Sequence, residues 1–570
     1  NDSVIYTPIV IDRNHAFTKV DGVLFKQMLK MLSLDFICNY DSLILKDTKK
    51  INKLAFALDM AVAGRSDESV WIRQAQEIRK QMTDSLIDSA FTYLPEGVKH
   101  DEIELIKRKL KRRRLELEAV ASQYYRLLQR TPVVAGTNQS DYFLIERQAP
   151  DRTILRIYDP ETGDCRLEQQ FSGRETKELW LYGLAGNDTF EVKGNTRKDF
   201  PIYLISGEGE NQYQLNHNRK IHVYDKDYKY DYQKIKYHKI SFTPWGIYDS
   251  DKGISLGTFF TYTMYGFKRA PFTYQHRIGY NYLKGFMYAG VFPNYDGRRR
   301  LYLNASISSP RNFENFFGFG NNTAGYKEEK KNYNRVKLRT YMLNPSFEMD
   351  LRKEEVVTFF GSLDMYKAKR TDDRYIYTVY GEDHPIFRTN YFVGLGATYR
   401  ITKQPYSWLP LLETEWTAGW KMNLKKPERN FPYAQGSLSW NVRFSDRFTW
   451  ASLMKGTVLF DNDYEFYQAA TIDLRGFRDN RFIGKQSFYQ YSDLRLDMGK
   501  LKNPFTPLKY GLFAGFDYGR VWFPGERSHS WHTSYGGGIW LTFLNKFTTK
   551  YSWFGSTDSF RFAFELGLGF

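Results

Sequence analysis

No run of roughly 18 uncharged apolar residues occurs in the 570-residue chain, so no segment can cross a bilayer as an α-helix, and a helical membrane protein is excluded. Cysteine is nearly missing. Cys38 and Cys165 stand far apart without metal-ligand spacing, which removes both a disulfide framework and a zinc site and leaves two unrelated small core residues as the expectation. Acidic residues are outnumbered, 65 Asp and Glu against 82 Lys and Arg, for a net charge of +17. Such an excess suits a nucleic-acid partner. The basic residues are spread along the chain rather than gathered on one module, however, so no nucleic acid is expected, and a barrel lumen or loops facing anionic head groups would use them equally well. The nine histidines are scattered. With no Ser/His/Asp set, phosphate-cradling glycine loop or metal cluster, the chain is not read as an enzyme, and neither metal nor cofactor is expected. The opening Asn-Asp-Ser also lacks the n-region and h-region of a secretory signal, so we expect sequence upstream to have been removed.

Aromatics, by contrast, are abundant: 43 Tyr, 44 Phe and 12 Trp make up 17% of the chain, while mean hydropathy stays at −0.57. A membrane barrel accounts for both, because aromatic girdles mark the two interfaces and a polar lumen keeps the average low. From about residue 238 onward the chain alternates with period two. Phe272, Tyr274, His276, Ile278 and Tyr280 share one face, as do Ile254, Leu256, Phe260 and Tyr262, then Leu301, Leu303, Ala305 and Ile307, then Leu438, Trp440, Val442 and Phe444. Segments of this length separated by polar turns suit a closed barrel, which leaves no unsatisfied edge in lipid. At roughly 20 residues per strand and turn, about 16 strands are expected. The last segment alternates most cleanly. Phe560, Phe562, Phe564, Leu566, Leu568 and Phe570 face one way, and Arg561, Ala563, Glu565 and two glycines the other.

The residues before the barrel divide in two. Residues 1–135 carry helical periodicity: Ser66 can cap a helix through Val70, Ala75 and Met82, a second begins after Thr83, and a longer one from Asp101 runs through Ile103, Leu110, Leu117, Tyr124 and Leu128. The basic run Lys107–Arg114 on that helix is expected to be a solvated face. Residues 136–236 change to short β runs, Asp141–Arg147 and Thr153–Tyr158 among them. A weak repeat follows. Gly183-Leu-Ala-Gly-Asn-Asp-Thr-Phe190 and Ser206-Gly-Glu-Gly-Glu-Asn-Gln-Tyr213 approximate the calcium-binding nonapeptide of parallel β-rolls, with Asn211 where a ligand Asp belongs. Their 23-residue offset is wrong for successive nonapeptide coils, so a small solenoid or sandwich with glycine turns is expected rather than a metal site.

Leu474-Arg475-Gly476-Phe477 carries a resemblance. It is similar to the tip of the long inward loop, or lid, of the BamA/TamA/FhaC superfamily of outer-membrane assembly and secretion barrels, and the loop is expected around residues 465–485. Phe516-Asp517-Tyr518-Gly519-Arg520-Val521-Trp522 resembles the wall strand that receives this loop, with Asp493-Leu494-Arg495-Leu496 beside it; Phe317-Gly-Phe-Gly-Asn-Asn322 resembles another common segment. Arg475 in a confined lumen needs a carboxylate, and Asp517 is the expected partner, gripped by two parallel hydrogen bonds. Gly476 would permit close approach and Phe477 would wedge against the wall. The resemblance implies barrel-wall roles for Asp493, Arg495, Asp517 and Gly519, and an assembly signal in Phe560, Phe562, Phe564 and Phe570. It further implies location in a bacterial outer membrane with residues 1–236 in the periplasm, and contact with outer-membrane lipids and lipopolysaccharide. A seam between the first and last strands would admit unfolded barrel clients by β-augmentation, and accessory assembly subunits are the other partners the resemblance implies.

The soluble part departs from that pattern, because the repeated βααββ units of relatives are absent. Tyr6-Thr-Pro-Ile-Val-Ile-Asp-Arg-Asn-His-Ala-Phe17 with Asp21-Gly22 instead resembles a Bacteroidetes surface-antigen group in which a calcineurin-like metallophosphatase lies upstream, although the phosphatase's own metal motifs are not in these residues. A membrane anchor for such a hydrolase, or a passive solute channel, therefore stands beside the assembly reading.

Overall fold

The computed structural model describes residues 36–64, 66–94, 100–148, 150–195, 199–215, 220–224, 238–249, 251–265, 272–294, 297–323, 332–371, 373–403, 411–501, 508–543 and 547–568, together with Phe17 and Leu29. The phosphatase-group resemblance at residues 6–22 lies outside these, Phe17 excepted, and so does Phe570. The chain divides into two compact units, one up to residue 237 and one beginning at His238.

In the first unit, helices Glu68–Gln81, Asp84–Ala90, His100–Leu115 and Leu117–Leu128 precede the β structure. Thr83 caps the second of them as expected, its hydroxyl accepting the Leu86 N–H at 3.1 Å. Ser66 does not cap the first; Asp67 occupies that position, one residue later. The stripe expected to form one long helix is two, broken at Glu116, whose carboxylate accepts the Ile44 N–H at 2.9 Å. Nor is the basic run a free face. Lys111 pairs with Asp88 at 2.8 Å, and Arg113 and Arg114 donate to the carbonyls of Asp41 and Met82 at 2.5 and 2.6 Å. Long basic side chains reach loop carbonyls that would otherwise lack donors.

The β part of this unit is a short solenoid. Val133–Ala135, Leu179–Tyr182, Ile202–Ile205 and Ile221–Tyr224 form one parallel sheet; Tyr142–Gln148, Thr189–Gly194 and Gln212–Leu215 form another, extended by the antiparallel strands Arg152–Tyr158 and Cys165–Ser172. Each coil crosses between the sheets through a six-residue turn, Gly136–Asp141, then Gly183–Asp188, then Ser206–Asn211, so the 23-residue repeat is the length of a coil. Phe143, Phe190 and Tyr213 stack at equivalent positions, 4.6 and 5.7 Å between ring centroids, and the apolar core lies between the sheets. Cys165 is not a core residue. It starts a strand just after the Asp159–Asp164 turn and is exposed.

The second unit is a closed antiparallel barrel of sixteen strands. In chain order they are β1 (His238–Asp249), β2 (Gly253–Met264), β3 (Tyr274–Asn281), β4 (Gly285–Pro293), β5 (Arg299–Ser308), β6 (Arg335–Arg352), β7 (Glu355–Ala368) and β8 (Asn390–Lys403). Then follow β9 (Leu411–Asn423), β10 (Asn430–Arg443), β11 (Phe448–Leu459), β12 (Gln486–Leu501), β13 (Leu508–Trp522), β14 (His532–Phe543), β15 (Phe547–Gly555) and β16 (Phe560–Leu568). Each pairs with the next, and β16 closes on β1. Alternation sets the two faces. Ile240, Phe242, Leu256, Phe260, Leu395, Trp416, Phe516 and Phe560 are exposed on the outside, where a transmembrane barrel meets lipid. Away from the loop end inward side chains include polar pairs, as in Arg300 with Glu348 at 2.7 Å and Lys421 with Asp364 at 2.8 Å.

Because the strands alternate in direction, every connection after an odd-numbered strand lies at the end opposite to the start of β1. Three long ones, 309–334, 369–389 and 460–485, meet there. Their Phe316, Ile376, Ile386, Phe387, Phe466 and Ile483 are buried against the inward residues Leu338, Tyr366 and Phe392. That packing positions the loop carrying Arg475.

Candidate functional site

Loop 460–485 joins β11 to β12 and is tied at its neck by a small ribbon in which Ala470 and Thr471 pair with Gly484 and Ile483. The eleven residues between the ribbon strands project as one tongue, held by apolar side chains: Ile472, Leu474, Phe477 and Phe482 are buried with Tyr489 of β12 and Val521 of β13. Polar side chains then orient it. Arg475 Nε lies 3.1 Å from each oxygen of Asp517, Nη2 donates to Oδ1 at 2.5 Å, and the Arg475 backbone N–H donates to Oδ2 at 3.0 Å. On its other side Nη1 donates to Asp493 Oδ1 at 2.6 Å. The guanidinium lies 3.9 Å from the Phe554 ring centroid and 5.3 Å from that of Tyr491. One cation thus bridges two wall carboxylates on adjacent strands. Buried charges of this kind are costly to desolvate and hold together only when geometry and hydrogen bonding are complete, so removing either side leaves an uncompensated charge.

The remaining sequence-derived positions divide between this cluster and the outer wall. Arg495 reaches Asp493 only at 3.5 Å, and Lys550 stands at 3.8 Å from the same carboxylate. Gly519 presents its missing side chain to Tyr489, where a Cβ would fall 2.6 Å from that residue's Cβ. Gly476 is crowded likewise: a Cβ there would come within 2.6 Å of Ser534 Cβ and 2.9 Å of the Gly555 carbonyl oxygen. Phe477 meets Phe482 and His532 edge-on. Phe560, Phe562 and Phe564 are not brought to the cluster. They lie on the opposite face of β16, with Phe562 against Trp553 and Tyr248, and Phe564 against Tyr551.

Other groups at the site were not singled out from sequence. Ser534, the cross-strand partner of Asp517, donates its hydroxyl to Oδ2 at 2.8 Å. Gly515 gives Arg475 room, since a Cβ there would lie 2.6 Å from Nη2. The base of the tongue is anchored by Arg481 with Asp558 at 2.5 Å, Lys252 with Asp479 at 2.6 Å, and Asn480 donating to Glu314 at 3.0 Å. The segment Phe317–Asn322 packs here too: the Gly320 N–H donates to the Ile483 carbonyl at 2.8 Å, and Asn321 exchanges hydrogen bonds with the backbone of Val521. Among the described residues no group of three or more His, Cys, Asp or Glu side chains is placed to hold a metal.

A second feature lies at the barrel closure. All of β1, His238–Asp249, pairs with β2, but among the described residues only Gly246–Asp249 pairs with β16, opposite Ala563–Leu566. The stretch His238–Trp245 therefore has one ladder instead of two among the described residues. Within it Pro244 can donate no ladder hydrogen bond, a residue tolerated at a strand edge and not in a sheet interior.

No protein-family model and no curated protein matches the chain. Among solved structures it is similar to BamA from Haemophilus ducreyi lacking POTRA domains 1–3, at 11% identity and a TM-score of 0.43, over 58% of this chain and 70% of that one. CdiB from Escherichia coli is similar at 11% identity and TM-score 0.40, over 57% of this chain and 62% of its own. CdiB from Acinetobacter baumannii is similar at 13% and 0.37, over 59% and 60%. The chain thus spans less than two thirds of either CdiB.

Proposed function

We propose that this chain is an outer-membrane barrel of the assembly or translocation type, which passes other polypeptides along the β1–β16 seam while the tongue of loop 460–485 braces the wall at β12–β15. The observation that carries this reading is the contrast within one barrel between a clamp in which Arg475 is gripped by Asp493 and Asp517 and a seam that, among the described residues, is paired only at Gly246–Asp249. A free strand edge is a template for an incoming strand. The packed loops at the far end weigh against a passive solute channel, since Phe316, Phe387 and Phe466 are buried against the inner wall. In this orientation β1 starts on the periplasmic side, client strands arrive there, and the aromatic outer face sits in outer-membrane lipid and lipopolysaccharide.

A cross-link across the seam tests it. Tyr248 and Phe564 are register partners, and cysteines at both positions can be joined by an oxidant. The oxidised variant should stay folded but fail to support insertion of other outer-membrane barrels, with recovery on reduction. Normal assembly with the seam locked would overturn the proposal. If depletion of the chain leaves other barrels intact yet alters a phosphorylated metabolite, the anchor reading stands in its place.

A further inference from the structure

We propose that Arg520 binds the phosphate of an anionic lipid in the leaflet surrounding the loop end of the barrel, an inference that rests on reading the outer face as lipid-facing. Along β13, Asp517 and Val521 belong to the lumen cluster, so Phe516, Tyr518, Arg520 and Trp522 point outward. Arg520 stands two residues from the strand's loop end. Its guanidinium lies 4.8 Å from the ring centroid of Trp522 and 5.7 Å from that of Trp531, and Nη2 donates to the Ser528 carbonyl at 2.8 Å. Among the described residues Nε has no hydrogen-bond partner, and the residue is only 9% exposed.

A cation so enclosed calls for an anion. Arg147 and Arg481, which are also buried, have theirs in Asp199 at 2.6 Å and Asp558 at 2.5 Å. Among the described residues no carboxylate pairs with Arg520. Its polar neighbours on the same wall cannot supply one, for they satisfy each other: the Tyr518 hydroxyl donates to Gln490 Oε1 at 2.7 Å, and the Gln490 amide donates to Ser452 at 2.9 Å and Ser492 at 3.2 Å. The aromatic setting places Arg520 at head-group depth. Trp531 packs against Tyr518, Phe488 and Trp522, and clustered Trp and Tyr rings on a barrel's outer face mark the membrane interface. At that depth the available anion is a lipid phosphate, whose oxygens match the fork of a guanidinium better than they match an ammonium.

The test is lipid retention by the full chain. Wild type, Arg520→Gln and Arg520→Lys would be purified in detergent, reconstituted with phosphatidylglycerol or with uncharged diacylglycerol, delipidated and weighed by native mass spectrometry. Arg339→Gln, which removes an exposed arginine on the outer face of β6, serves as control. Wild type and the control should keep phosphatidylglycerol about fivefold better than Arg520→Gln, the ratio that corresponds to ~1 kcal/mol for one basic residue at an anionic surface. Arg520→Lys should fall between, and it carries the comparison if Arg520→Gln does not fold. Equal retention by wild type and every folded Arg520 variant, or diacylglycerol kept as well as phosphatidylglycerol, would overturn the proposal, and so would displacement by inorganic phosphate at the same phosphate concentration. If the chain stays monodisperse with neither detergent nor lipid, it is the membrane reading beneath the proposal that fails.

Discussion

Asp517 in the barrel and Asp188 in the solenoid are both completely buried, and the chain treats them in opposite ways. Asp517 is surrounded by donors: the Arg475 guanidinium and backbone N–H, and the Ser534 hydroxyl. Among the described residues Asp188 accepts one hydrogen bond, from the Asp141 N–H to Oδ1 at 2.9 Å, while Oδ2 has no hydrogen-bond partner. A Cβ on Gly183 would fall 2.1 Å from that oxygen and 2.3 Å from the Ser206 carbonyl oxygen, so the two oxygens face each other across the glycine. Burial pushes the Asp188 carboxyl up to about 7, against the pull of the Asp141 N–H and with help from the Asp141 charge, which is itself paired with Arg166 at 2.7 Å. A buried carboxylate given a cation becomes a structural pin, whereas one given a backbone oxygen keeps its proton.

Removing the pin has the largest expected effect. Arg475→Met leaves Asp493 and Asp517 facing each other without their bridging cation, and Asp517→Asn weakens the bidentate grip; loss of one partner of a buried pair costs about 3–5 kcal/mol. We expect Arg475→Met to lose most of the compact barrel seen on unheated gels and Asp517→Asn to lose less, because the amide still accepts from Ser534 or Arg475. Equal folded yield in wild type and Arg475→Met would break the comparison from the barrel side. Arg475→Lys should rescue only in part, since an ammonium cannot span both carboxylates.

The Asp188 effect is next in size and has a definite sign. With its folded value raised from 3.8 to about 7, the folded solenoid binds a proton that the unfolded chain has released between those limits. Stability should therefore fall as pH rises from about 4 to about 7 and level off above, by up to a few kcal/mol. Hydrogen exchange in Leu179–Tyr182 and Ile202–Ile205, corrected for the intrinsic rate, should be slower at pH 5 than at pH 8. Asp188→Asn, neutral throughout and able to donate to the Ser206 carbonyl, should flatten this dependence. A wild-type chain with no such slope would show that Asp188 finds another partner.

How much of this could be read from residue order follows distance along the chain. The barrel was legible because period-two alternation is local: Ile254, Leu256, Phe260 and Tyr262 reveal their common face without any partner strand. The pairing of Arg475 with Asp517 was legible from motifs rather than from spacing, since 42 residues separate them. Ser534 and Gly515 were not legible, because only the β13–β14 register and the approach of the tongue bring them to the carboxylate. In the solenoid, the turns ending at Asp188 and Asn211 were visible at their 23-residue spacing, but the hairpin Arg152–Ser172 displaces the first turn, ending at Asp141, to 47 residues upstream of Asp188. A register inserted by a hairpin leaves no period to detect.

The smallest effects fall on the glycines that make room for each carboxyl group, and they separate the two environments most finely. Gly515→Ala would place a Cβ 2.6 Å from Arg475 Nη2 and 2.7 Å from Asp493 Oδ1, both ends of side chains that can give; Gly183→Ala would place one against the Ser206 backbone, which cannot. Overpacking of this kind costs about 1–3 kcal/mol, and we expect Gly515→Ala near the lower end and Gly183→Ala near the upper. The readouts should also be local. Gly515→Ala should make the Arg475 tongue more accessible to protease while leaving exchange in Leu179–Tyr182 unchanged, and Gly183→Ala should speed that exchange while the barrel keeps its unheated gel mobility. Were Gly183→Ala instead to leave exchange and its pH dependence untouched, the facing oxygens of Asp188 and Ser206 would not be as close as the glycine implies, and the contrast between the two carboxyl groups would rest on Asp517 alone.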